Sequence, residues 1–148
     1  MRGMARPAPD TRKGYKHFLV LTTRWMDNDA YRHINNVVFY SWFDTVVNQY
    51  LIEKGVLDVD SGPVIGLVVE SACQYFSPIA FPDVVHAGLR VGKLGRSSVR
   101  YEIGIFRNDE RRAAAQGHFV HVYVDRASGR PTPLPQALRA ALAPLLAA

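Results

Sequence analysis

The run from Val37 to Lys54 limits the fold more than any other part of this 148-residue chain. Phe39, Trp42, Phe43, Val46, Val47, Tyr50 and Leu51 recur at the i, i+3, i+4, i+7 spacing of one helical face. Val38 and Tyr40 widen that face, leaving a narrow polar strip of Ser41, Asp44, Thr45, Asn48 and Gln49. Asn35 or Asn36 suits the N-cap, and Gly55 suits the stop just after Glu53 and Lys54. A helix of about five turns that is apolar on most sides needs cover on most sides.

The remaining segments supply that cover as strands. Tyr15 to Thr23 is rich in β-formers, and Val64 to Phe76 is a long strand candidate. Pro78 and Pro82 then break the chain between Ser77 and Asp83. Strands are expected at Val84 to Leu94, Ser97 to Arg107 and Arg112 to Asp125, with turns at Gly95-Arg96 and Asn108-Asp109-Glu110. Pro135 to Leu146 suits a short amphipathic helix with Pro135 near its first turn. The order lacks βαβ alternation, which argues against a parallel Rossmann-like sheet. The expected fold is α+β, an antiparallel sheet of about five to six strands wrapped around one long central helix. It forms a single domain over residues 15–148, after a flexible tail at 1–14 that holds Pro7, Pro9 and Gly14.

Composition narrows the classes of function. A hydrophobic share of 48% excludes a disordered chain. The single cysteine, Cys73, rules out an internal disulfide and a four-cysteine zinc site, and it fits a reducing compartment, the cytoplasm. The net charge of +5 suits an anionic ligand. The basic residues are spread along the chain without a basic helix, so nucleic acid is not an expected partner. No apolar run approaches the ~20 residues of a membrane span.

The chemistry concentrates just before the helix. Asp27, Asn28, Asp29, His33, Asn35 and Asn36 fall within ten residues. Asp and Asn before a helix commonly serve as caps and turn formers. The same residues also make a minimal kit for attack on a carbonyl. A carboxylate, Asp27 or Asp29, serves as nucleophile or as base for water. The first N–H groups of the helix, at Asn35 to Val38, lack intrahelical acceptors and can polarise the carbonyl oxygen. An activated ester such as a thioester suits a kit with neither metal nor serine triad.

Thr23-Arg24-Trp25 followed by Asp27-Asn28-Asp29-Ala30-Tyr31-Arg32-His33-Ile34-Asn35-Asn36 resembles the signature of the hotdog-fold acyl-CoA thioesterases, closest to the 4-hydroxybenzoyl-CoA thioesterase-like family. That pattern has an Arg-aromatic start, Asp-x-Asp-Ala, then His-x-Asn-Asn entering the central helix. Downstream, Gln74 to Pro78 with Asp83, Gly95-Arg96-Ser97-Ser98 and Gly129 to Leu138 follow in the same order as the family's segments. The similarity spans about Phe18 to Leu142. It implies Asp29 as the catalytic carboxylate, the backbone N–H of Asn36 as the donor to the thioester carbonyl, and His33 as an organiser of the loop. Arg96, Ser97 and Ser98 fall where nucleotide or phosphate contacts are common, while Tyr40 and Phe43 can line an acyl pocket along the helix. Asp44, on the helix, stands as a second acid. The implied substrate is an acyl-CoA, aliphatic or aromatic. Coenzyme A is then part of the substrate, with no separate cofactor and no metal, and the implied assembly is a homodimer or homotetramer. One position departs from the pattern: the residue before His33 is usually Gly and here is Arg32.

Two other functions fit the same residues. A hydratase or dehydratase acting on acyl thioesters would pair Asp29 with His33 for proton transfer. A non-catalytic module would hold acyl-CoA without releasing its thiol.

Overall fold

The computed structural model describes residues 7–147. Five antiparallel strands, β1 (His17–Thr22), β2 (Val64–Tyr75), β3 (Val84–Leu94), β4 (Ser98–Arg107) and β5 (Ala115–Asp125), form one sheet in the order β1-β3-β4-β5-β2. One long helix, α1 (Asn36–Glu53), lies on its inner face, and a short helix, α2 (Gln136–Leu142), closes one end. This is the hotdog arrangement that the resemblance implies, with five strands.

Helix α1 starts where Asn35 accepts the Val37 N–H on its side chain, and it stops before Gly55, which sits at φ 70°. It crosses the sheet obliquely. Phe39 meets Tyr75 of β2, Phe43 meets Phe119 of β5, and Tyr50 meets His17 of β1. Its seven periodic apolar residues are all buried, and Phe43, Val46 and Val47 are fully so. Opposite them, Val85, Ala87, Leu89 and Val91 of β3 and Val99, Tyr101, Ile103 and Ile105 of β4 point inward at 0% exposure. Alternation along these strands places His86, Arg90, Arg100 and Glu102 on the outer face.

The expected tail at 1–14 needs correction over its second half. The Arg12 guanidinium donates to the carbonyls of Asn108 and Glu110, and Ala113 N–H donates to the Asp10 carbonyl. Tyr15 anchors this segment: its ring lies against Gly88 and Gly104, where a Cβ would come within 2.9 and 2.6 Å of it. Arg90 covers the ring at 4.5 Å and ion-pairs with Asp10 and Glu102. The remainder of that tail, residues 1–6, lies outside the described residues. The expected strand from Arg112 begins instead at Ala115, because Ala113 and Ala114 give their N–H groups to Asp10 and Ile105.

The two edge strands are β1 and β2. Edge strand β2 carries Leu67, Val68 and Val69 at 46%, 51% and 61% exposure.

Candidate active site

Residues 23–35 form a loop closed by its own hydrogen bonds. Asp27 is almost fully buried and accepts from the Arg24 N–H at 2.8 Å and from the Arg24 guanidinium at 2.8 and 3.0 Å. Its carbonyl accepts the Asn35 N–H at 2.9 Å. Asn28 and Ile34 bridge antiparallel, and the Asp29 N–H reaches the His33 carbonyl at 2.8 Å. The loop therefore returns on itself and delivers the chain into α1 directly beside Asp27.

A second loop at the same end of the sheet clamps the first. Ile34 N–H donates to the Ile79 carbonyl at 2.7 Å, Phe81 N–H to Asn28 Oδ1 at 3.1 Å, and the Thr23 hydroxyl to the Asp83 carbonyl at 2.6 Å. Asp83 is tied in turn to Arg107 at 2.8 Å and to Asn108 at 3.1 Å. Burial raises the Asp83 pKa, but hydrogen bonds from Ala80, Arg107 and Asn108 outweigh it and hold the carboxyl below its ordinary value.

Asp29 sits at the turn of the closed loop. Its Oδ1 accepts from the Tyr31 N–H at 2.8 Å and the His33 N–H at 3.4 Å. Its Oδ2 has no hydrogen-bond partner among the described residues. Asp29 opens into a cavity of about 580 Å³ lined also by Trp25, Asn28, Arg32 and Phe81. Trp25 and Phe81 meet edge to face at 5.9 Å and make its aromatic wall.

At the helix start, the N–H groups of Asn35, Val37 and Val38 all find acceptors, in Asp27, the Asn35 side chain and the Asn35 carbonyl. The Asn36 N–H finds none among the described residues. A carboxylate oxygen and a helix N-terminal N–H, both unengaged, thus belong to one hydrogen-bonded loop. Such a pair can attack and polarise a carbonyl.

The structure sorts the other expected residues. His33 organises the loop through its backbone, as donor and acceptor to Asp29, while its imidazole is exposed and makes no hydrogen bond among the described residues. It borders a separate cavity of about 290 Å³ with Ile34, Phe39 and Tyr75. Phe43 is fully buried against Phe119 at 5.7 Å, so it belongs to the core packing. Tyr40 stacks on Phe119 at 6.2 Å and stays partly exposed. Asp44 is exposed and accepts from the Asn48 side chain at 3.3 Å. Arg96, Ser97 and Ser98 follow the far end of β3, whose first residue, Val84, pairs with Thr22 beside the loop. The 11 residues of β3 span about 35 Å, so one chain does not bring these residues to Asp29.

Two neighbours of the site were not singled out from the sequence. Phe81 lines the Asp29 cavity, and the Tyr75 hydroxyl reaches the Asn36 carbonyl at 3.5 Å. Phe81 carries a signal, an aromatic residue held between Pro78 and Pro82. Among the described residues, no group of three or more His, Cys, Asp or Glu side chains is placed to hold a metal ion. No described helix is long and apolar enough to cross a membrane.

Comparison with known proteins agrees with this arrangement. Residues 23–142 match the family model of the thioesterase-like superfamily. The chain is 55% identical to the PA5185 protein from Pseudomonas aeruginosa, with a TM-score of 0.92 over 96% of this chain and 99% of that one. It is 32% identical to a thioesterase from Thermus thermophilus solved with coenzyme A and zinc, with a TM-score of 0.75 over 90% and 96% of the two chains. A 1,4-dihydroxy-2-naphthoyl-CoA thioesterase from Synechocystis shares the fold at 15% identity and a TM-score of 0.78, over 84% of this chain and 93% of that one. Among curated proteins, none matches this sequence.

Proposed function

This chain belongs to the thioesterase-like superfamily and is a thioester hydrolase, and we propose that it cleaves acyl-CoA with Asp29 as the attacking or activating carboxylate. The observation that carries this reading is the state of Asp29. Oδ1 is fixed by two backbone N–H groups, Oδ2 has no hydrogen-bond partner among the described residues, and Asp29 lines a cavity.

The thioester carbonyl oxygen accepts the Asn36 N–H, where the dipole of the 18-residue helix favours developing negative charge. Asp29 Oδ2 then acts in one of two ways. It bonds to the carbonyl carbon, the C–S bond breaks, and coenzyme A leaves as thiolate; water afterwards hydrolyses the acyl-aspartyl anhydride. Alternatively it takes a proton from a water that attacks the same carbon, with the same bond broken. Both routes give free acid and the thiol.

The coenzyme's phosphates call for a second copy of the chain. Edge strand β2 has no strand on its outer flank among the described residues and exposes Leu67, Val68 and Val69. Two-fold antiparallel pairing through β2 would carry the partner's Gly95–Ser98 turn to the end of the sheet that holds Asp29. Arg96, Ser97 and Ser98 would then serve the partner's substrate, which gives the homodimer a functional reason.

The test is thiol release from a panel of acyl-CoAs. Asp29→Asn keeps the Oδ1 acceptor and removes the charge, so it should retain the melting temperature and lose at least about 100-fold in kcat. Full activity in this variant overturns the assignment. A hydratase would instead change enoyl absorbance without freeing thiol, and a binding module would take up acyl-CoA in calorimetry with no thiol released.

A further inference from the structure

Arg32 is the strained residue of this site. Its φ is 65°, in the left-handed region that costs a side-chain-bearing residue about 1 kcal/mol or more. The turn requires that conformation, because Arg32 N–H donates to the Asp29 carbonyl at 3.0 Å and the next residue closes back onto Asp29. Glycine would adopt it without cost. Arg32 lines the Asp29 cavity together with Trp25 and Phe81. It has no ion pair among the described residues, whereas the nearby Arg24 and Arg107 are both paired.

An apolar acyl group filling this cavity would cover the guanidinium and offer it nothing in return. An anion would meet it with a charge-assisted, bidentate contact. The size of the cavity decides where that anion sits on the substrate. A sphere of 580 Å³ is about 10 Å across. The coenzyme A thiol is separated from its nearest phosphate by roughly thirteen bonds, about 16 Å when extended. With the thioester carbonyl at Asp29, the phosphate of an extended arm lies beyond the cavity. A carboxylate at the end of a short acyl group, by contrast, stays inside the cavity that Arg32 lines.

We propose that Arg32 selects acyl thioesters whose acyl chain ends in a second carboxylate, the monothioesters of short dicarboxylic acids. The methylenes lie along Trp25 and Phe81, and the terminal carboxylate pairs with Arg32. A six-carbon chain places that carboxylate about 6 Å from the thioester carbon, inside the cavity. The proposal rests on the hydrolase reading above.

The experiment compares adipyl-CoA with hexanoyl-CoA, which have the same number of carbons, in wild type, Arg32→Gly and Arg32→Lys, with spontaneous hydrolysis subtracted. The expected wild-type preference for adipyl-CoA is at least about tenfold in kcat/KM, carried mainly by KM. Arg32→Gly should bring the ratio close to one, and Arg32→Lys should keep part of it. A merely structural role for Arg32 would move both substrates together and leave the ratio unchanged. Wild type hydrolysing the two equally, or an Arg32→Gly ratio equal to wild type, overturns the proposal while the hydrolase reading stands. Thiol release from neither substrate, nor from any other acyl-CoA, overturns both.

Discussion

Replacing Asp27 tests whether the loop that carries Asp29 is built by the buried Asp27 carboxylate. Asp27 is a side chain at 2% exposure with three accepted hydrogen bonds, all from Arg24. Two of these come from a guanidinium that is 66% exposed, so water replaces them readily when the carboxylate is removed. The third comes from the part-buried Arg24 N–H, which has no other acceptor in place. Asp27→Ala leaves that donor unsatisfied and opens a small void, which together cost about 1–2 kcal/mol. For a chain of this size the melting temperature should fall by about 2–8 °C. Asp27→Asn keeps an oxygen for the N–H and gives up only the exposed ion pair, so it should cost clearly less. Activity should follow the same order. The Asp27 carbonyl holds the Asn35 N–H at 2.9 Å, next to the proposed carbonyl donor at Asn36. Loosening that turn shifts the donor, and a shift of about 1 Å costs on the order of 100-fold in rate. Calorimetry and thiol release on the two variants decide the matter. Equal losses in Asn and Ala would show that the ion pair, not the backbone cap, holds the loop. An Asp27→Ala variant as stable and active as wild type would refute the argument.

Two further outcomes follow from buried titratable groups. Burial lowers the pKa of His121, His86 and His17 below the ordinary 6.5. The unfolded chain therefore takes up protons first as pH falls, and stability is lost from about pH 6.5 downward. The carboxylates with depressed pKa, Asp83 and Glu102 among them, act only below their ordinary values of 3.8 and 4.5. Urea midpoints measured from pH 7.5 to 5 should fall, and His121→Phe should flatten the slope; an identical slope would exclude His121 as a contributor. For Cys73, burial pushes the thiol up to about 11. Iodoacetamide at pH 8 should modify the native chain about two orders of magnitude more slowly than the urea-unfolded one, and equal rates would contradict this.

The parts of the fold that were legible in the sequence are those bounded by local chemistry. Strand β3 has the expected limits, Val84 to Leu94, because Pro82-Asp83 and Gly95 punctuate it on both sides. Helix α1 is within one residue of expectation at each end because Asn35 and Gly55 fix its termini. Strand β5 starts three residues late because Arg112 bridges Thr11 and the Ala113 N–H goes to the Asp10 carbonyl, about a hundred residues away. No periodicity carries that information. In the candidate site, Asp29 and the helix start could be placed together because they share one short loop. Arg96 to Ser98 could be assigned a ligand type but not a place, since only the strand pairing shows that they follow the opposite end of β3.

The downstream Pro78-to-Asp83 segment, which looks unremarkable alone, gains a meaning from its contacts. It receives the Ile34 N–H, gives its Phe81 N–H to Asn28, and takes the Thr23 hydroxyl on the Asp83 carbonyl. These three bonds fall at the beginning, middle and end of the loop that carries Asp29. The loop is thus held at both ends and at its centre by one neighbour, and that neighbour is fixed to β4 and the β4–β5 turn through Arg107 and Asn108. A turn clamped this way can sustain an arginine at φ 65°. A freer loop would relax Arg32 into an ordinary conformation and turn Asp29 away from its two backbone donors. The strain at Arg32 and the fixed oxygen of Asp29 are therefore two results of the same clamp.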